Sequence, residues 1–354
     1  MIKRNILFFL YSFVIIYCLF YGARAWPTWF LTSPYLYLSF FIIVVIFFST
    51  NKIRIRLTFI EIIAFLLYFV TFMSISDMSF NGLLGNFLIA SIVSSVFLLS
   101  KKYAEGLLRN IQSVMFYILI PSLVLHFIFL FYNYPSPFII QNEWSERYVF
   151  FNYFFLIKNE ILYQNRFCGI FLEPGYLAAL CSFLLFVDKY DLKKKENKIL
   201  VLAVMVSLSL AGYIFLAVGY MLLRANKIVD LLKKIFGLLF YVLLFYTIFT
   251  NYDDGDNIVN KSIIERLQLD KEKGIKGNNR VTGVVDDYYD FFLKSDELWS
   301  GYGKKEMQRI RQYESDWIAA GYKPFLMQNG IFILMMILLF YLIIAIDAKN
   351  RLYS

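Results

Sequence analysis

Residues 165–195 read NRFCGIFLEPGYLAALCSFLLFVDKYDLKKK. From Phe167 to Val187 this stretch has the length and apolar character of a membrane span, since crossing a bilayer core takes about 20 apolar residues. A carboxylate and a proline, Glu173 and Pro174, sit a third of the way in. A charged group at the centre of a span costs at least ~2.5–3.5 kcal/mol on insertion scales, so such a residue is a functional hypothesis by default. The residue before a proline is also pushed out of helical backbone angles, and Gly169 and Gly175 flank the pair. The sequence therefore predicts a broken or kinked helix whose exposed backbone groups need a polar cavity. Arg166 stands seven residues before Glu173. If the chain between them is helical, the two share one face about 10 Å apart, placed to grip one ligand from two ends.

The rest of the chain agrees with a membrane setting. It is 60% hydrophobic, 20% aromatic and only 17% charged over 354 residues, far from the balance of soluble proteins. The net charge of +9 comes largely from short Lys/Arg clusters between apolar runs. Such clusters set orientation in a bilayer, so the basic character reads as topology and not as nucleic-acid binding. Three cysteines (Cys18, Cys168, Cys181) with no CxxC pair, and a single histidine, support neither a disulfide framework nor a zinc site. The N-terminus ends in a small-x-small pattern at Ala23-Arg24-Ala25, as a signal peptide does, but the apolar run from Ile6 to Tyr21 is long for one and reads as a span.

Apolar runs predict spans at Ile6–Tyr21, Pro34–Phe48, Leu57–Met73, Gly82–Leu99, Ile111–Tyr132, Phe167–Val187, Ile235–Thr250 and Pro324–Ile346. The segment 198–224 lies between two basic clusters that the positive-inside rule places on the same side. It is therefore expected to form a hairpin of two short helices hinged near Ser207–Gly212, a single tilted span being the alternative. The expected fold is an all-α polytopic membrane protein with about ten crossings and both termini cytoplasmic. Two long loops then lie outside: 133–166, whose aromatic middle reads as an interfacial helix, and 251–323, the most polar part of the chain and large enough to be functional.

The second loop carries Gly277-Asn-Asn-Arg280, a helical-looking stretch from Val281 to Leu293, a sharp turn at Trp299-Ser-Gly-Tyr302-Gly303, and the cations Lys304, Lys305, Arg309 and Arg311. Arginine suits a diphosphate because its planar fork binds oxygens bidentately and keeps its charge. Lys304 and Lys305 read as a solvated helix face. His126 reads as a hydrogen-bonded interior residue, and Glu61 and Asp77 as interfacial or tertiary partners. There is no Gly-Lys-Ser phosphate loop, HExxH or nucleophile elbow, which removes nucleotide hydrolysis, zinc proteolysis and serine hydrolysis from consideration.

An arginine leading into GxFxEP (Arg166, Gly169, Phe171, Glu173, Pro174), the SLSLAGY segment from Ser207, Asn279-Arg280, Gly301-Tyr302-Gly303 and Gly321 occur in that order. This pattern resembles the bacterial polysaccharide polymerases of the Wzy type and the related O-antigen ligase-like membrane proteins, over about half the chain. The resemblance implies an inverting, metal-independent glycosyltransferase that joins repeat units carried on undecaprenyl diphosphate at the outer face of the bacterial cytoplasmic membrane. It implies that Arg166 and Arg280 bind the lipid diphosphate. Neither cofactor nor metal is expected, and the expected partners are the lipid-linked oligosaccharide, the bilayer and other polysaccharide-assembly proteins. Glu173 is the candidate base for the acceptor hydroxyl. Tyr176, Trp299, Tyr302, Arg309 and Arg311 complete the expected substrate contacts. The outer loop lacks the histidine that ligases carry, with Glu314-Ser315-Asp316 in its neighbourhood, which favours a polymerase over a ligase; a transporter of lipid-linked sugars is the reading from another class.

Overall fold

A computed structural model describes residues 2–30, 33–51, 59–74, 80–132, 135–142, 145–159, 166–224, 228–257, 259–264, 269–270, 274–275, 283–313 and 322–353. Arg280, the Gly277–Arg280 turn, Asp77, Glu314–Trp317 and Gly321 lie outside these residues. The chain is mostly helical. Its helices are α1 (Ile2–Gly22), α2 (Pro34–Asn51), α3 (Phe59–Ser74), α4 (Phe80–Ser94), α5 (Lys101–Phe131), α6 (Pro174–Val187), α7 (Lys195–Val206), α8 (Leu210–Arg224), α9 (Ile228–Asn251), α10 (Gly283–Phe292), α11 (Gly303–Tyr313) and α12 (Tyr322–Tyr353). Among the described residues, four helical segments are long and apolar enough to cross a membrane: Asn5–Gly22, Pro34–Asn51, Lys101–Phe131 and Tyr322–Phe340. Shorter apolar helices include Pro174–Val187 and Leu210–Met221.

The fold is not purely α. Where an interfacial helix was expected in 133–166, the chain forms β1 (Phe138–Asn142), β2 (Ser145–Asn152) and β3 (Ile157–Lys158), an antiparallel sheet in that order. Partners are Phe138 with Asn152, Ile139 with Phe151 and Ile140 with Phe150, then Asn152 with Ile157. The physical reason is composition: β-branched and aromatic residues crowd this segment, fit a pleated surface and lose rotamer freedom in a helix. Two further short strands, β4 (Leu269–Asp270) and β5 (Gly274–Ile275), pair with each other.

The chain divides into two compact units. The first comprises residues 1–11, 33–100 and 270–354. In it α2 and α3 pack on α4, and α3, α10 and α11 pack on α12. Fully buried Tyr11 stacks on Phe47 at 4.5 Å and shares a 3.0 Å hydrogen bond with Ser95. Val285, Phe292, Met307, Leu326 and Met327 form a second apolar cluster, which holds α10 and α11 against the start of α12.

The last span, expected from Pro324 to Ile346, falls in α12, where Tyr322–Phe340 is long and apolar enough to cross a membrane. It breaks at Gly330, whose backbone (φ 76°, ψ 169°) belongs to a region essentially reserved for glycine. Into this break fits the turn Trp299–Tyr302. Tyr302 N–H donates to Met327 O at 2.7 Å and Phe332 N–H to Trp299 O at 3.2 Å. The turn thus takes over backbone groups that the helix leaves unpaired, which apolar surroundings require.

The second unit comprises residues 12–32 and 101–269. Here α7 packs on α5 and α6, α8 packs on α6, and α9 on α8. Its core joins Ile16 and Phe20 of α1, Met115, Leu119 and Leu123 of α5, Leu177 and Cys181 of α6, and Leu200 and Val204 of α7. At Gly212 a Cβ would stand 2.5 Å from Ala178 Cβ, so glycine is what lets α8 lie this close to α6.

Between α6 and α7 a polar cluster closes the turn. Lys194 Nζ pairs with Asp188 at 2.6 Å, and fully buried Asn197 donates to Asp188 at 2.6 Å and to Asp191 O at 2.9 Å. Burial alone would raise the Asp188 carboxyl, but hydrogen bonds from Lys194, Asn197 and Gln112 and the Lys194 charge together hold it below its ordinary 3.8. A carboxyl lowered by folding contributes stability that is complete above 3.8 and is lost as pH falls toward the folded-state value. Asp188→Asn is therefore expected to lower stability at neutral pH by about 1–3 kcal/mol and to flatten the acid limb of the unfolding temperature below pH 3.8. A variant that unfolds like the wild type at every pH would show that the cluster contributes nothing.

Candidate functional site

The expected helix through Phe167–Leu172 is absent, and with it the helical spacing between Arg166 and Glu173. The chain there is a buried irregular segment: Phe167 and Phe171 are fully buried, and Cys168, Ile170 and Leu172 nearly so. Gly169 takes a left-handed conformation (φ 58°) and Phe171 N–H closes a turn on Cys168 O at 3.0 Å. Three further backbone groups are matched from two sides. Ile157 N–H donates to Gly169 O at 2.8 Å, Trp26 N–H to Ile170 O at 2.9 Å, and Leu172 N–H to Arg24 O at 3.1 Å, while Ala25 and Phe171 form a β-bridge. Non-helical backbone survives in apolar surroundings when protein supplies its partners, and here the end of α1 and strand β3 supply them.

Helix α6 starts where its sequence says it should. Pro174 takes the first helical position, where its missing N–H costs nothing, and Glu173 is extended (φ −137°, ψ 149°) as the residue before proline. The Glu173 side chain makes no capping bond. It is half-buried, and among the described residues its carboxylate has neither a hydrogen bond nor an ion pair. One helical turn on, the half-buried Tyr176 ring lies 5.7 Å below the Arg24 guanidinium. Arg24 itself is exposed and holds a positive φ of 54°, an uncommon conformation for a long side chain. Its carbonyl accepts from Leu172 N–H and from the Trp29 indole at 3.1 Å, which together lock the turn. The mouth of α6 is thus formed by Glu173, Tyr176 and Arg24.

Arg166 serves a different feature. Its guanidinium donates to Leu208 O at 3.0 Å and to Ser207 O at 3.4 Å, the carbonyls at the break between α7 and α8. This break falls within the expected hinge, with Leu208 at φ 48°. Ser209 opens α8 by accepting Gly212 N–H at 3.4 Å, and Ser207 Oγ bonds Val204 O at 2.7 Å. Ser209 is the N-cap of α8, and the arginine meets the negative end of the α7 dipole. Lys158 sits 5.0 Å from the Phe129 ring, and its charge and that of Arg166 both act on the Cys168 thiol. His126 is buried with its ring 5.2 Å from Phe167.

The remaining expected contacts belong to the first unit. Trp299 is 60% exposed. Tyr302 packs its ring 5.3 Å from Phe292, in the apolar cluster. Arg309 is exposed and 3.7 Å from Glu306 one turn earlier, and Arg311 is exposed on the same helix, α11. Among the described residues no three His, Cys, Asp or Glu side chains gather closely enough to hold a metal ion.

Sequence reasoning missed Arg24 because Ala23-Arg24-Ala25 reads as a processing pattern. Lys158 was missed because nothing in an aromatic loop marks one lysine as inward-facing. Compared with protein-family models, curated proteins and solved structures, the chain matches none of them.

Proposed function

We propose that this chain is a membrane glycosyltransferase that polymerises oligosaccharide repeat units carried on undecaprenyl diphosphate, with about ten crossings and its polar segment 251–323 on the outer side of the bacterial cytoplasmic membrane. One observation carries the reading: in a chain of membrane composition, an interrupted apolar segment ends at a carboxylate with no described partner, beside an exposed arginine and a tyrosine ring. A transferase of this kind needs that set. The departing diphosphate needs fixed positive charge in partly dry surroundings. The acceptor hydroxyl needs a base within about 3 Å in the reactive pose, and a sugar face stacks on an aromatic ring.

In this proposal Glu173 activates the acceptor and Tyr176 contacts sugar, while positive charge beside them steadies the diphosphate. Arg166 contributes chiefly by holding the α7–α8 break in shape, and Arg24 joins the charge at the mouth. The test is incubation of the purified protein in proteoliposomes with an undecaprenyl-diphosphate-linked repeat unit. A ladder of lengthening glycans with release of undecaprenyl diphosphate is the expected result. A single transfer to a different acceptor would make it a ligase, and movement of the lipid between leaflets without a new bond a transporter; either overturns the polymerase reading.

A further inference from the structure

The turn Tyr153–Leu156, between β2 and β3, combines two properties that do not belong together in water. Its side chains are apolar and partly bare: Phe154 is 55% and Phe155 43% exposed, with Phe138 at 47% and its ring 5.0 Å from that of Phe154. Its backbone, by contrast, is withdrawn from solvent chemistry. All four carbonyls of 153–156 accept a bond from protein: Tyr153 from Phe155 N–H (2.8 Å), Phe154 from the Trp26 indole (2.7 Å), Phe155 from the Ser122 hydroxyl, and Leu156 from Tyr153 N–H (2.8 Å). Phe154 N–H is met by the buried Asn152 side chain at 2.7 Å. A surface turn in water has no need of such partners, because water supplies them. In hydrocarbon each unmet group costs several kcal/mol, so a turn placed there depends on protein for its partners.

The location agrees. Ser122 lies nine residues before the end of α5, about 13 Å along its axis, in a stretch from Asn110 to Tyr132 that has no Asp, Glu, Lys or Arg. The same part of α5 exposes Val124, Phe127, Ile128 and Phe131. Those residues lie on the face of α5 opposite buried Ser122, so what the bare phenylalanines share with them is depth along the helix: the turn meets α5 below its end and not beyond it.

We propose that this turn is a lipid-inserted wedge: Phe154 and Phe155 lie among acyl chains beside α5, with lipid and no protein partner as their neighbour. The inference rests on the membrane character of the chain and not on the transferase reading. It has a consequence for the mouth of α6. Because Ile157 N–H is bonded to Gly169 O and Trp26 bridges Phe154 O to Ile170 O, the wedge is tied to the buried segment that ends at Glu173.

The test places the photoreactive residue p-benzoylphenylalanine at 154 and, separately, at 155, with exposed Tyr313 of polar α11 as the control position. Each protein is irradiated in vesicles of phosphatidylethanolamine and phosphatidylglycerol and read by intact mass. The expected result is an adduct of one phospholipid at 154 and at 155 and none at 313. A cross-link to a second copy, or no lipid adduct at either position in protein that elutes like the wild type, would overturn the proposal.

Discussion

Gly330→Ala unfolds in detergent far below the wild type, with a stability loss of at least roughly 3 kcal/mol. Two costs combine. At φ 76° and ψ 169° an L side chain is in a region that only glycine visits readily. A Cβ at this position would also stand 2.5 Å from the Trp299 carbonyl carbon and 2.6 Å from Gly301 N. Both are backbone atoms, and neither can swing aside. Gly301→Ala meets the same obstacle from the other side, since its Cβ would lie 2.5 Å from Gln328 O at φ 76°. The double variant should cost less than the sum, because both changes break one contact. Gly303 separates strain from collision: it too has positive φ (78°) but nothing within 4 Å of an added Cβ. Gly303→Ala should therefore lose only about 1 kcal/mol. If Gly330→Ala and Gly303→Ala melt together, the turn does not fill the break in α12.

The second large effect is on activity alone. Glu173→Gln is expected to lower polymer formation by roughly 10²–10⁴-fold, the usual range for losing a general base, while leaving the unfolding temperature where it was. The structural half of this expectation comes from geometry. The carboxylate caps nothing and has no hydrogen bond or ion pair among the described residues, and the extended backbone at 173 is imposed by Pro174. Glutamine keeps the shape and removes only the charge and basicity. Full turnover by Glu173→Gln at normal protein levels would remove the residue from the mechanism. An unfolding temperature that drops along with activity would assign it a structural role instead.

The contrast with Arg166 shows how the site changed between sequence and structure. In the sequence, Arg166 and Glu173 form a pair because they flank one motif seven residues apart. That inference used helical periodicity, which is valid only where the chain is helical. Gly169 and Pro174 both oppose a helix, yet neither says where the freed backbone will go. It is met by Arg24, Trp26 and Ile157, residues whose distance along the chain hides the relation.

The sequence by itself determines the apolar, helical character of a membrane protein, the interruption of the run 167–187 at Pro174 and the break near Ser207. These follow from local causes: hydropathy, proline's fixed angle and serine capping. Only the tertiary structure decides that the turn at 299–302 completes the backbone of α12 and that Arg24 stands over Tyr176. Each of these matches an unpaired backbone group or an aromatic ring with a partner remote in sequence, and in apolar surroundings the need to match such groups outweighs local preference.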